Sequence, residues 1–205
     1  MLVFCFNSYL SVFFCVRFYF FLDFLNDLVY NFIVGEFSVY IKERAFFAII
    51  LSVVEVYRRE TLGLLLGYRG ENKFFVEYAI PSQTAEREFS WTEPKMRAVA
   101  RMTKIIENMS IEIIGDYHSH TDFRGDRGRA IPSGEDVADM RSGNVHIIVA
   151  VNPKLKSKKW RQNNDGTISG TISDYHIRIS ATTLIGEYKY KRVRIVCPSA
   201  TGLST

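Results

Sequence analysis

IIGDYHSHTDFRGDRGRAIPSGEDVADM, residues 113–140, decides how this chain is read. An apolar run ends in two histidines one residue apart, His118 and His120, and Asp136 follows by way of Pro132-Ser133. If Ile111 to Tyr117 is a strand, the alternation of side chains sends His118 and His120 to the same side of the chain. Their imidazoles can then converge on one point, whereas adjacent histidines would point apart. Two imidazoles and a carboxylate suit zinc, and three protein ligands leave the fourth position open for water, the composition of a catalytic rather than a structural zinc site. Ser133-x-x-Asp136 is also a capping box, and it predicts a helix over 133–142 with Gly143 as its stop. Capping and ligation are compatible, because an acid in a first turn can face the end of the preceding strand.

The ordered set resembles the JAMM motif of the JAB/MPN zinc metalloprotease family, in the form of its prokaryotic members: a distant Glu, then His-x-His, then Ser-x-x-Asp. The resemblance spans about residues 36–151 and is most specific over 115–136. It implies His118 and His120 as imidazole ligands of a Zn2+ cofactor, Asp136 as the carboxylate ligand, and Ser133 as the residue that steadies the oxyanion. The distant Glu falls on Glu60, in RRETLGLLLG, since the family often has a Glu shortly before a Gly-Leu-Leu-Gly-like strand. Glu55 competes for that role but lies inside a helical pattern. The fold implied is α/β, a mixed central β-sheet flanked by helices, MPN/JAB-like and similar to cytidine deaminase. The activity implied is hydrolysis of a peptide or isopeptide bond, Glu60 and Ser133 catalysing, on a ubiquitin-like or small sulfur-carrier protein. Two departures stand out. Thr121 occupies a position where the family commonly has Pro, and the spacing from His120 to Ser133 is longer than the family pattern. The surplus, around Arg124-Gly-Asp-Arg-Gly-Arg129, reads as a loop extension beside the site.

Two alternatives come from other classes. One is a non-catalytic MPN scaffold, against which the intact ligand set argues, since scaffold members typically lose ligands. The other is a metal phosphoesterase, because DYHSHTDF also resembles the opening motif of the PHP family. That fold opens with its motif near the N-terminus and needs several later histidines, whereas here only His146 and His176 follow His120. Too little chain remains for a barrel of about 200 residues.

The net charge of +4 does not by itself argue for nucleic acid, and no nucleic-acid partner is expected. Cys5, Cys15 and Cys197 lack paired spacing, so a reducing, cytoplasmic interior is the default. Residues 1–22 are almost wholly apolar with Arg17 the only charge, near the ~20 residues that span a bilayer. They make a poor signal peptide, with no basic start and no small-residue cleavage site. Two readings remain: a membrane anchor, which would bring membrane contact and place the protein at a membrane, or a stretch upstream of a later start such as Val34. Residues 1–34 are therefore set apart from a domain over 35–197, with 198–205 as a disordered tail.

Within the domain, Phe37–Ile41 reads as a strand and 42–57 as a helix burying Phe46, Ile49, Ile50, Val53, Val54 and Tyr57. A hairpin follows, Thr61–Tyr68 and Asn72–Ile80, in which Gly63 and Gly67 admit a close neighbouring backbone. Residues 81–89 read as an exposed polar loop. Thr92, with Pro94 behind it, caps a helix to Asn108 whose buried stripe is Met96, Val99, Ala100, Thr103 and Ile106. Beyond Asp136, Val145–Val151 is a strand in which His146 is structural. KLKSKKWRQNNDG is a solvated basic loop with one Trp, and Thr167–Ala181 and Glu187–Val196 are closing strands. Asp116 is placed to orient one of the ligand imidazoles.

Overall fold

A computed structural model describes residues 36–83, 86–87, 92–93, 95–122 and 125–203, with backbone alone at 86–87 and 92–93. Residues 1–34, with the anchor and late-start readings and Cys5 and Cys15, lie outside the described residues, as do Pro94 and Arg124. Among the described residues no helix is long and apolar enough to cross a membrane.

Strand β1 (Ser38–Ile41) leads into helix α1 (Glu43–Glu55), which buries Ala45, Phe46, Ile49, Ile50 and Val53 along one face. Arg58, at a left-handed φ of 76°, turns the chain out of the helix toward β2 (Leu62–Gly70). Asn72, with φ 53°, makes the turn into β3 (Lys73–Pro81), a backbone region that Asn tolerates better than most residues. β4 (Glu86–Arg87), inside the expected polar loop, and β5 (Thr92–Glu93), at the expected helix cap, form a small separate ribbon. Helix α2 (Met96–Ile106) therefore starts after Lys95 rather than at Thr92. Its stripe is also shallower than expected: Ile106 is buried, but Met96 is 66% exposed.

The chain then gives β6 (Glu112–Thr121), α3 (Gly134–Asp139), β7 (Val145–Pro153), β8 (Arg161–Gln162) and β9 (Ile168–Ile172). It ends with β10 (Tyr175–Gly186), β11 (Lys189–Val196) and α4 (Pro198–Thr201). The expected strand over 167–181 is two strands, because Ser173 at φ 48° reverses the chain between Ile172 and Tyr175. Residues 198–201 are helical rather than a frayed tail: Ala200 is buried and Leu203 packs on the core, so the segment has apolar surface to bury.

The strands lie in the order β11-β1-β3-β2-β6-β7-β10-β9-β8, and β10 also pairs with β11. The sheet is mixed as expected, with β1 parallel to β3 and β11, and β6 parallel to β7. It is also closed, which a simple helix-flanked sheet is not. β10 is long enough to divide one edge between two partners, Tyr175–Ile179 pairing with β9 and Ala181–Gly186 with β11. One core joins Phe46, Ile49 and Val53 of α1 to inward residues of the strands, among them Val76, Tyr117, Val149, Ile177 and Ile195. β7 is buried on both faces: Ile147 and Val149 enter this core, while on the other face His146 meets the Arg141 amide just after α3 and Asn152 meets Gly128 of the loop that follows β6. A strand so enclosed reads as a continuous apolar run, which VHIIVAV is.

Gly63 and Gly67 of β2 both meet close neighbours. A Cβ on Gly67 would lie 1.8 Å from the Phe75 carbonyl oxygen, so backbone does approach closely there, at a bulge in the β2–β3 ladder. At Gly63 a Cβ would lie 2.6 Å from the Ile80 carbonyl oxygen, so backbone approaches closely there as well, and 2.3 Å from the Tyr117 ring. That ring crosses Gly63, and the Tyr117 hydroxyl reaches the Ser52 hydroxyl at 2.9 Å, tying β6 to α1.

Candidate metal centre

β6 carries the two histidines at its C-terminal end, between β2, antiparallel, and β7, parallel. Tyr117, Ser119 and Thr121 face inward and are buried, so His118 and His120 emerge together on the opposite side, half-buried. Their Nε2 atoms are 3.1 Å apart. Asp136, in the first turn of α3, places Oδ1 3.2 Å from His118 Nε2 and Oδ2 3.4 Å from His120 Nε2. These three residues form a group that could hold a metal ion. A tetrahedral zinc ion with bonds of about 2.0–2.1 Å sets its ligand atoms about 3.3–3.4 Å apart, and the observed separations match those edges closely. The donor set thus fits the metal in both chemistry and spacing.

The surroundings fix each donor. His120 Nδ1 lies 2.8 Å from the Arg129 carbonyl oxygen, which accepts its N–H and leaves the Nε2 lone pair directed at the site. Asp136 is held by the capping box: the Ser133 N–H donates to its Oδ2 at 2.6 Å, and the Asp136 N–H donates to Ser133 Oγ at 3.1 Å. The helix itself runs only over 134–139, since Met140 is extended, and Gly143 stands in the following turn with φ 78°. Burial alone would raise the Asp136 carboxyl, but hydrogen bonds from His118, His120 and the Ser133 amide hold it far below the usual carboxylate range. Burial likewise opposes a charged His120, yet Asp136, the Arg129 carbonyl and Glu60 raise its pKa. The pocket is built to stabilise positive charge.

Glu60 stands two residues ahead of β2 rather than within it. The Ser119 N–H donates to the Thr61 carbonyl at 2.9 Å, and the Thr61 N–H donates to Ser119 Oγ at 2.8 Å. With Leu62 paired to His118, this register brings Glu60 level with His120. Burial pushes the Glu60 carboxyl up, the charges of His120 and His118 pull it down, and those of Asp136 and Glu135 push it up again, with a net rise. The charges that act on Glu60 are those of the donor set and its neighbour, as the register requires. Glu55, by contrast, is the exposed last residue of α1. The structure thus brings His118, His120, Asp136, Ser133 and Glu60 to one place.

Asp116 does not reach a ligand imidazole. Its carboxylate pairs with His146 Nδ1 at 3.0 Å, and the Arg141 N–H donates to His146 Nε2 at 3.2 Å. The reason is register: Asp116 lies opposite His146 across the β6–β7 pairing, two residues short of His118. His146 is structural, as its place in the strand suggested.

Three contributors were not singled out from the sequence. Ser119 fixes the Glu60 junction. Asn152, buried on β7, accepts the Gly128 N–H at 2.9 Å and donates to the Gly128 carbonyl at 3.0 Å, clamping the loop. Arg129 acts on His120 through its backbone. Only Ser119 had a sequence signal: the residue between two outward histidines faces the core, and a serine there needs a partner.

The family model described as prokaryotic homologs of the JAB domain matches residues 42–163. Among solved structures, the chain resembles the solution structure of protein DSY2949 from Desulfitobacterium hafniense, with 16% identity and a TM-score of 0.55, over 78% of this chain and 92% of that one. That likeness concerns the fold. No curated protein matches the chain.

Proposed function

The chain belongs to the family of prokaryotic JAB-domain homologues, and from that premise we propose that it is a zinc-dependent hydrolase of peptide or isopeptide bonds, acting on a ubiquitin-like or small sulfur-carrier protein. The observation that carries this reading is the convergence of His118 Nε2, His120 Nε2 and the Asp136 carboxylate at tetrahedral spacing, with Glu60 level with His120 in the β2–β6 register. The family includes metal-dependent isopeptidases, and the complete donor set argues for catalysis over a scaffold role.

Zinc held by the three side chains supplies Lewis acidity, which activates water and polarises a carbonyl at neutral pH. Glu60 accepts the proton of the attacking water and delivers it to the departing amine nitrogen as the C–N bond breaks. Its raised pKa suits both roles, since a carboxyl that ionises nearer neutrality returns a proton more readily. Ser133 Oγ accepts from the Asp136 amide, and its own hydrogen stays free to point at the developing oxyanion. A donor of that kind is worth about 2.7–4 kcal/mol in the transition state. Ser133 therefore serves twice, as helix cap and as oxyanion donor.

The test is metal analysis beside an isopeptidase assay. His120→Ala should lose zinc and turnover together, while Glu60→Gln should keep about one zinc per chain and lose turnover by roughly 10²–10⁴-fold. A well-folded wild type that binds no zinc would end this reading in favour of the scaffold.

A further inference from the structure

A cleft of about 730 Å³ opens beside the metal centre, on the far side of the loop that holds His120. That size lies within the ~300–1,000 Å³ of ordinary ligand sites. Its walls carry Arg127 and Arg129 from the loop extension, Lys156 and Lys158 from the β7–β8 connection, Arg178 from β10 and Arg192 from β11. Four segments distant in sequence thus deliver cations to one concavity. Asp165 is the carboxylate among the lining residues, and it is already engaged: Arg178 lies 2.5 Å and Arg192 3.0 Å from its Oδ2, and Thr167 donates to its Oδ1. Among the described residues no carboxylate pairs with Arg127, Arg129, Lys156 or Lys158. The field is felt inside the cleft. Burial lowers the pKa of His176 on its wall, and Lys158, Arg127 and Arg178 lower it further.

The cleft adjoins the centre covalently and through the sheet. Arg129, on its wall, gives the carbonyl that holds His120, and Ala150, on its floor, is the β7 partner of His120. A polypeptide whose scissile bond lies at the metal centre has flanking residues within reach of these cations. Apolar side chains stand among them: Leu155 is 84% exposed and Ile131 49%. Among the described residues that line the cleft there is no Phe, Tyr or Trp to serve as a base-stacking platform. Trp160, the one aromatic residue of the basic connection, is instead buried edge-on against Phe46. Single-stranded nucleic acid is gripped by aromatic faces as well as charge, so the surface suits a different polyanion.

We propose that this cleft is the docking site for an acidic segment of the substrate polypeptide, carboxylates interspersed with apolar side chains, next to the bond that is cut. The inference rests on the hydrolytic reading for its placement, but its test does not require turnover. Fluorescence anisotropy of the full chain would compare two labelled probes of equal charge, a short peptide alternating glutamate with leucine and a thymidine oligonucleotide. The peptide should bind, weaken with added salt, and lose at least roughly tenfold in affinity when Lys156 and Lys158, both exposed, are replaced together by glutamate. Zinc content and melting temperature of that variant should match the wild type. Peptide affinity unchanged by Lys156→Glu with Lys158→Glu, or no binding at low salt, would overturn the proposal. Tighter binding of the oligonucleotide than of the peptide would overturn it too, in favour of a nucleic-acid groove. Peptide binding by a protein that hydrolyses no isopeptide substrate would sink the hydrolytic reading alone and leave the acidic docking site standing.

Discussion

Replacing Ser119 by alanine tests whether the residue between the two histidines controls the acid/base. Ser119 is fully buried on the core side of β6, where it cannot touch substrate or metal. Its Oγ accepts the Thr61 N–H at 2.8 Å, and Thr61 is itself buried, with its hydroxyl donating to the Ser52 carbonyl at 3.1 Å. The alanine leaves that amide buried without an acceptor, a cost of about 1–3 kcal/mol. For a domain of this size each kcal/mol lowers the melting temperature by about 2–4 °C, so a drop of roughly 2–12 °C is expected. The second effect falls on the adjacent Glu60. Relaxation of the Thr61 backbone away from β6 carries the carboxylate with it, and displacement of a catalytic group by about 1 Å can cost ~10²-fold in rate. His118, His120 and Asp136 keep their own supports, so zinc should stay bound.

The assay is kcat and its pH profile on an isopeptide substrate, with zinc content measured in parallel. Glu60 must be ionised to accept a proton, and burial holds its pKa up. Moving it toward solvent should shift the acidic limb of the profile downward, toward the 4.5 of an unperturbed glutamate. A purely structural role for Ser119 would lower the melting temperature and leave both kcat and that limb where they were. Ser119→Thr, which keeps the hydroxyl, should recover most of the rate. Unchanged kcat in Ser119→Ala, or loss of zinc, would refute the reasoning.

Two further predictions concern the loop that supports His120 and the His146–Asp116 pair. A Cβ at Gly128 would fall 2.4 Å from the His120 carbonyl oxygen, so Gly128→Val must lift the loop off Asn152 and withdraw the Arg129 carbonyl from His120; zinc affinity, measured against a competing chelator, should fall about 10–100-fold, and unchanged affinity would show that the loop does not hold the ligand. At His146, burial opposes the charged form, but Asp116 raises the pKa above its usual value. A raised folded-state pKa gives stability that is complete below pH 6.5, the unperturbed value, and is lost as pH climbs through the higher one. The melting-temperature gap between wild type and Asp116→Asn should therefore be wider at pH 6 than at pH 9, and an equal gap at both would mean that the pair does not titrate with folding.

What the sequence made legible followed from short-range rules. His118 and His120 share a side because a strand alternates, and Asp136 faces them because a capping box fixes the first turn of α3. Glu60 lies far away along the chain, and only the β2–β6 register brings it level with His120; nothing local to RRETLG encodes that pairing. The same limit explains Asp116, whose partner is set by β7, and the closed sheet, which depends on how β10 divides its edge. The turn at Ser173 and the helix start after Lys95 escaped because Ser and Lys carry weak signals, unlike the Gly or Pro that punctuate other turns. The basic cleft is the extreme case. Arg127 sits in the loop extension, Lys158 in the loop read as solvated, and Arg178 and Arg192 in the closing strands, and only tertiary structure makes them one wall. The loop extension that sets this chain apart from its family pattern is also the segment that shares residues with both cleft and centre. Arg129 gives its carbonyl to His120 and also lines the cleft, so whatever docks there meets the residue that supports His120. Occupancy of the cleft and geometry of the centre are thereby placed on the same piece of backbone.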